Sequence, residues 1–231
     1  MRKAMMWVKL FFYLIPMWIS AKRYQNKSFE ETFAKLKHWA KLAVKASGAK
    51  VEVEGLDNLT ERTCYYVSNH EGSLDPFIFI EYIPYPTNLI SKVENLHIPI
   101  IGAWMKALKI ITLDRKDIRS SLQMIKETAA QLESGRNVIV YPEGTRSKGL
   151  KTGEFKAGSL KPALMAKVPI VPVTMINTYL IDTGGKAEYC TKMIFSKPIE
   201  YAEFSEMDTI ELTALVESII KKNIEEGVKT L

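Results

Sequence analysis

Three short segments concentrate the side chains able to do chemistry. The first is Asn69-His70-Glu71-Gly72-Ser73-Leu74-Asp75-Pro76. A histidine with a carboxylate five residues on can have its Nδ1 held by Asp75, which leaves Nε2 facing a cleft as a general base. That makes two members of a triad without a nucleophile. The same residues also fit a helix start, with Asp75 as N-cap and Pro76 at the first helical position. The second segment is Pro142-Glu143-Gly144-Thr145-Arg146-Ser147-Lys148, followed by Lys151 and Lys156. A glycine turn with backbone donors, a hydroxyl, an arginine and several lysines is a cradle for a phosphate, where Arg gives bidentate geometry and Lys a point charge. A solvated surface turn is the other reading. Asp114-Arg115-Lys116 adds a third cationic group. One base and two cationic loops suit transfer chemistry on a phosphorylated hydroxyl compound.

Other sites are excluded by pattern. There is no GxGxxG, and Gly153 to Ser159 has Walker-like glycine spacing but serine where the lysine belongs, so no nucleotide is implied. No GxSxG elbow accompanies Ser73. His70-Glu71 lacks the second histidine of HExxH, while His38 and His97 are remote, so no metal site is expected. Cys64 and Cys190 stand in no CxxC pair and are expected to be free thiols in a reducing compartment.

The elements that must position these groups follow from hydrophobic patterning. The 231 residues, 47% apolar and 25% charged, are enough for one folded domain with a real core and exclude both a disordered chain and a multidomain machine. From residue 50 short β-like runs alternate with helical stretches. Strands are predicted at 51–54, 64–68, 87–91, 109–113, 137–141, 170–175 and 191–195. Helices are predicted at 76–82, 99–108, 118–133, 159–167 and 208–226. The expected fold is α/β, a mixed, largely parallel sheet flanked by helices. Such sheets place their sites at strand ends, where all three chemical segments fall.

The charge is uneven. Residues 1 to 50 hold eleven Lys and Arg against Glu30 and Glu31, while the other 181 residues hold 21 basic and 24 acidic side chains. Apolar residues among those charges favour anionic lipid over nucleic acid as the partner. Residues 4 to 20 form an apolar run interrupted by Lys9 and bent by Pro16. At 1.5 Å per residue the run reaches about 25 Å, short of the roughly 30 Å hydrocarbon core, so it enters a membrane without spanning it. No small-x-small cleavage site follows it, and it is expected to be retained. Ser28-Phe29-Glu30-Glu31 fits a capping box, predicting a second helix to Ser47 before Gly48. Phe29, Phe33, Leu36, Trp39, Ala40, Ala43 and Val44 make a stripe along it, with lysines mostly on or beside the other face. Residues 1–47 are therefore read as an amphipathic hairpin at the membrane interface and 48–231 as the α/β domain; the alternative is a stripe packed on the protein's own core.

Four ordered blocks, NHEGSLD (69–75), IITLDR (110–115), YPEGTRS (141–147) and IVPV (170–173), resemble the signature of the glycerophospholipid acyltransferases over roughly residues 50 to 200. An NHxxxxD followed about seventy residues later by a strand-borne PEGTRS is highly specific. Two departures are mild: Glu71-Gly72 stands where related enzymes often have Gln-Ser, and Tyr141 where many have Phe, with position 71 open to an effect on acceptor preference. The resemblance implies that His70 takes the proton from the sn-2 hydroxyl of lysophosphatidic acid and that Asp75 orients the imidazole. The hydroxyl then attacks an acyl thioester directly, giving phosphatidic acid without an acyl-enzyme. Motif matching assigns acceptor binding to Arg115, Glu143, Gly144, Thr145 and Arg146, with Glu143 positioning the acceptor or the loop. Lys156 is added from charge and spacing alone. No cofactor is implied; the donor is acyl-CoA or an acyl carrier protein thioester. The location implied is the cytoplasmic face of the cell membrane, peripheral or monotopic. Acyltransferases for glycerol 3-phosphate or another hydroxylated lipid share these motifs, and a silent lipid-binding module is a remote alternative.

Overall fold

Alternation along short strands decides which residues meet. In β2 (Tyr65–Ser68) the Tyr66 side chain joins one hydrophobic cluster while Tyr65 and Val67 join another on the opposite face of the sheet. Val138 and Val140 against Ile139 repeat this division in β5 (Asn137–Val140). With side chains from Phe12 onward, the computed structural model describes residues 2–183 and 190–230. The side chains of residues 4 to 11, part of the apolar run, lie outside the described residues.

The other strands are β1 (Lys50–Glu54), β3 (Thr87–Lys92), β4 (Ile111–Leu113), β6 (Ile170–Ile176) and β7 (Cys190–Phe195). Among the described residues they form one seven-stranded sheet in the order β1-β7-β6-β2-β5-β3-β4. Neighbours run parallel except β6 and β7, which pair antiparallel. The five strands from β6 to β4 thus end at the same edge. The predicted mixed, largely parallel sheet is the observed one.

Helices cover both faces. The cluster on one side contains side chains of α1 (Arg2–Tyr24), α2 (Phe29–Ser47), α3 (Asp75–Tyr82) and α4 (Pro99–Leu108). The other contains α5 (Ile118–Glu133), α6 (Lys161–Ala166), the short α8 (Tyr201–Phe204) and α9 (Thr209–Val228). A one-turn α7 (Tyr179–Thr183) follows β6. The strand predicted at 109–113 is shorter, because Lys109 adopts the left-handed conformation at φ 51° to end α4.

The second helix starts and stops as its capping signals predict. Ser28 Oγ accepts from Glu31 N at 3.1 Å, Ser28 N donates to Glu31 Oε2 at 3.1 Å, and Gly48 closes the helix at φ 76°. Its destination differs from the expectation. Phe33, Leu36, Trp39, Ala40, Ala43 and Val44 are buried, nearly all in the cluster that holds Ile80 of α3 and Trp104 of α4. The stripe read as lipid-facing is a core face, and Lys37 turns back to donate to the Ile83 carbonyl at 2.5 Å. An apolar stripe is equally satisfied by a protein groove, and here the apolar α3 supplies one. On α1 the balance is the reverse: Met17 and Ala21 pack inward, while Phe12 (72% exposed), Ile15 (68%), Trp18 and Ile19 face outward. Among the described residues no helix is long and apolar enough to cross a membrane.

Candidate active site

The loop leaving β2 carries His70, the base expected from sequence. Leu74, not Asp75, takes the N-cap position of α3, so the capping reading of Asp75 is not realised. Its carboxylate is fully buried and turns back into the loop. Asp75 Oδ2 accepts from the Glu71 amide at 2.7 Å and the Gly72 amide at 3.0 Å, and lies 2.8 Å from His70 Nδ1. A carboxylate only accepts, so Nδ1 donates to it, and in the neutral form of the ring Nε2 is the nitrogen with a lone pair. The imidazole is 18% exposed, lines a cavity, and lies against the Tyr141 ring with centroids 4.5 Å apart. Burial holds the Tyr141 phenol well above its ordinary value, so that ring is a neutral support.

Glu143 fixes His70 from behind. Its Oε1 accepts from His70 N and its Oε2 from Gly153 N, both at 2.7 Å. Burial pushes its carboxyl up and the two amides pull it back. It does not line the cavity, and its hydrogen bonds join two loops, that of His70 and its own. The same loop is tied twice more to the base, by Ser147 N to His70 O (2.7 Å) and Lys148 N to Glu71 O (3.2 Å).

The cations converge on the glycine turn. Gly144 holds φ 69°, and a methyl group there would stand 3.5 Å from the Arg115 guanidinium carbon and 3.6 Å from Lys156 Nζ. The left-handed conformation of the turn is what favours glycine, since a Cβ there would meet both cations only at ordinary van der Waals distance. Partial burial lowers the Arg115 pKa, with Glu94 opposing, yet an arginine stays charged at any working pH. Arg146 places one guanidinium nitrogen 3.5 Å from Asp182 Oδ2.

His70, Arg115, Gly144, Thr145, Arg146 and Lys156 all line one cavity of about 750 Å³. Its remaining wall is largely apolar: Phe77 and Ile80 from α3, Trp104 and Met105 from α4, Leu36 from α2 and Met17 from α1. A proton acceptor, a cationic cradle and an apolar bay therefore share one space, of a size that suits a ligand with a charged head and an alkyl chain. Of the residues named from sequence, Asp75 and Glu143 stand behind this wall and the rest form it.

Tyr141 and Asp182 have no role assigned from sequence, and Glu71 has only the expected effect on acceptor preference. Tyr141 was noted only as a departure from phenylalanine; its place beside the motif is the signal that could have drawn it in. Glu71 is buried, with Oε2 accepting from Thr178 N at 2.9 Å, and is not part of the cavity wall. An effect of position 71 on acceptor preference would therefore have to run through its neighbours, since its side chain makes no contact with the cavity. Asp182 accepts from Ser73 N at 2.9 Å and from Ser73 Oγ. Nothing in a one-turn helix without periodicity marks it. Among the described residues no three His, Cys, Asp or Glu side chains could share a metal ion.

Known proteins resemble this arrangement. A chloroplastic 1-acyl-sn-glycerol-3-phosphate acyltransferase of Brassica napus is 34% identical over 77% of this chain, which spans about half (52%) of that relative's length. A 1-acyl-sn-glycerol-3-phosphate acyltransferase of Borreliella burgdorferi is 29% identical over 84% of this chain and 79% of its own. The crystal structure of the 1-acyl-sn-glycerophosphate acyltransferase PlsC from Thermotoga maritima superposes with a TM-score of 0.80 at 25% identity, covering 97% of this chain and 94% of that one. The family model described as Acyltransferase matches residues 50–176. That match runs from β1 to the end of β6 and takes in the loops after β2, β4 and β5, and on it the chain belongs to the Acyltransferase family.

Proposed function

We propose that this chain transfers a fatty acyl group from a thioester donor to the sn-2 hydroxyl of lysophosphatidic acid, making phosphatidic acid. The observation that carries the proposal is the opening of the His70–Asp75 pair onto a cavity that also presents Arg115, Arg146 and Lys156. Relatives bearing the name of that activity support the acceptor. His70 Nε2 takes the hydroxyl proton as the oxygen attacks the thioester carbonyl. The tetrahedral intermediate collapses by breaking the carbon–sulfur bond, and the departing thiolate receives the proton from Nε2. Asp75, accepting from Nδ1, stabilises the imidazolium between the two transfers. The cationic loops hold the phosphate, Arg146 and Arg115 by hydrogen bonds and Lys156 as a point charge.

The apolar wall accommodates an acyl chain, and each CH₂ kept from water is worth about 0.8 kcal/mol. The outward apolar side chains of α1, beside exposed Lys22 and Arg23, support peripheral seating on an anionic leaflet. We place that leaflet on the cytoplasmic face, where acyl-CoA and acyl carrier protein are available as donors.

The test is acyl transfer by the protein in detergent, with lysophosphatidate and glycerol 3-phosphate offered separately, each with acyl-CoA and with acyl carrier protein thioester. Phosphatidate formation that falls about 10²- to 10⁴-fold or more in His70→Ala, with the unfolding midpoint unchanged, is the expected result. Product from glycerol 3-phosphate alone would reassign the acceptor. No product from any pairing would leave a lipid-binding module.

A further inference from the structure

Asp182 joins two parts of the site that the proposed reaction uses separately. It lies on α7, directly after β6, and is not itself among the residues lining the cavity. One oxygen accepts from the Ser73 hydroxyl; the other accepts from the Ser73 amide at 2.9 Å and stands 3.5 Å from the Arg146 guanidinium. Ser73 belongs to the loop of the base and Arg146 to the loop of the cationic cradle, and both line the cavity. The segment that carries Asp182 is itself docked on the base loop. Thr178 N and Oγ1 donate to Glu71 Oε2 at 2.9 and 3.3 Å, and a methyl group at Gly72 would come within 2.8 Å of the Thr178 carbonyl oxygen. Asp182 is thus held in place from below and presents its carboxylate upward to two cavity residues at once.

The two contacts differ in kind. Ser73 is bound through both its amide and its hydroxyl, a two-point attachment that fixes the carboxylate plane. Arg146 is held at a single nitrogen, beyond the 2.7–2.9 Å usual for a charge-assisted bond, and 43% of its side chain is exposed. A guanidinium carries five N–H donors, so one long contact to a fixed anion orients it while leaving other donors for a ligand.

We propose that Asp182 is a positioning residue for acceptor recognition, which aims Arg146 at the acceptor's phosphate and locks that aim to the loop of the base through Ser73. This rests on the reading of Arg146 as a phosphate ligand. It predicts an effect on binding of phosphorylated acceptor, not on the proton transfer or on the donor.

The test compares Asp182→Asn, Asp182→Ala, Arg146→Ala and the Asp182→Ala/Arg146→Ala pair, with KM for lysophosphatidate and for the thioester donor measured separately. Asp182→Ala should raise the lysophosphatidate KM roughly 3- to 10-fold, with kcat and donor KM within about twofold, the scale of coupling inside one hydrogen-bond network. In the Arg146→Ala background the same substitution should add nothing to the acceptor KM. Asp182→Asn, which keeps the shape and one accepting oxygen, should fall between and serves where the alanine variant unfolds. Equal losses in kcat and in both KM values, or full additivity with Arg146→Ala, would overturn the positioning role. An Arg146→Ala variant with unchanged acceptor KM would instead overturn the phosphate reading on which it rests, so the two failures are distinguishable.

Discussion

Glu71→Gln tests the electrostatics behind the base. Glu71 is fully buried, its Oε2 takes hydrogen bonds from Thr178, and its Oε1 has no hydrogen-bond partner in the protein. Burial first, and the neighbouring Asp75 carboxylate second, push its carboxyl up to about 9. An unfolded glutamate ionises near about 4.3. Across the window between those values the folded chain binds one proton more than the unfolded chain, so stability falls by about 1.4 kcal/mol for each unit of rising pH. The favourable balance is complete below about pH 4.3 and is lost as pH climbs toward the folded value. At pH 7 the loss against a neutral side chain of the same shape is about 4 kcal/mol. Glutamine is that side chain: its oxygen can take the Thr178 donors, and its amide occupies the position of the protonated oxygen. The variant should match the parent within about 1 kcal/mol at pH 5 and exceed it by about 4 kcal/mol at pH 7, with a flatter profile. Urea unfolding of both proteins at pH 5, 6, 7 and 8 measures the difference directly. Parallel profiles, or a variant weaker than the parent at pH 8, would show that Glu71 is ionised in the folded chain and refute the reasoning.

Replacing Phe12, Ile15 and Ile19 together by serine removes exposed apolar area and little core, so sedimentation with anionic vesicles should weaken about 100-fold or more while the unfolding midpoint holds. Unchanged vesicle binding would mean that α1 is not the lipid contact. Glu143→Ala strips the acceptor from His70 N and Gly153 N, and two orphaned amides at about 1–3 kcal/mol each should lower unfolding free energy by about 2 to 6 kcal/mol. A variant as stable as the parent in urea would deny the clamp.

Much of this architecture is legible because single-sequence signals are strong where burial is two-sided. Tyr65 to Val67 and Val138 to Val140 read as buried strands, and the capping box at Ser28 and the glycine at 48 fix both ends of α2. The site is legible for a related reason: parallel strands deliver their following loops to one edge, so residues about seventy apart in sequence become neighbours. What the chain leaves open are questions of destination. The α2 stripe has the same period whether it meets lipid or α3. Asp75 before Pro76 suits a cap as well as a histidine partner, and only the turn of the 70–75 loop decides between them. Glu71 and Asp182 carry no local pattern, since their importance lies in contacts with Thr178 and Ser73, roughly a hundred residues away in the chain.

The loops of the base and the cradle behave as one body. His70 is hydrogen-bonded through its amide to Glu143 and through its carbonyl to Ser147, so the residue bearing Nε2 is clamped on both sides by the loop bearing Arg146. A shift of the cradle therefore moves the base with it, and in a reaction that needs the hydroxyl within hydrogen-bond reach of Nε2, a misplacement of about 1 Å can cost about 10²-fold in rate. In the proposed reaction, phosphate binding and proton abstraction are aligned by the same backbone contacts, and a phosphate seated against Arg115, Arg146 and Lys156 would also fix how far its glycerol hydroxyl lies from the imidazole. The outer face of α1 has no part in that clamp. If α1 seats the chain on lipid as proposed, its apolar side chains can be altered to tune that attachment without disturbing the geometry at His70, whereas a change in α2, whose stripe lies in the core beside the cavity wall, reaches the site directly.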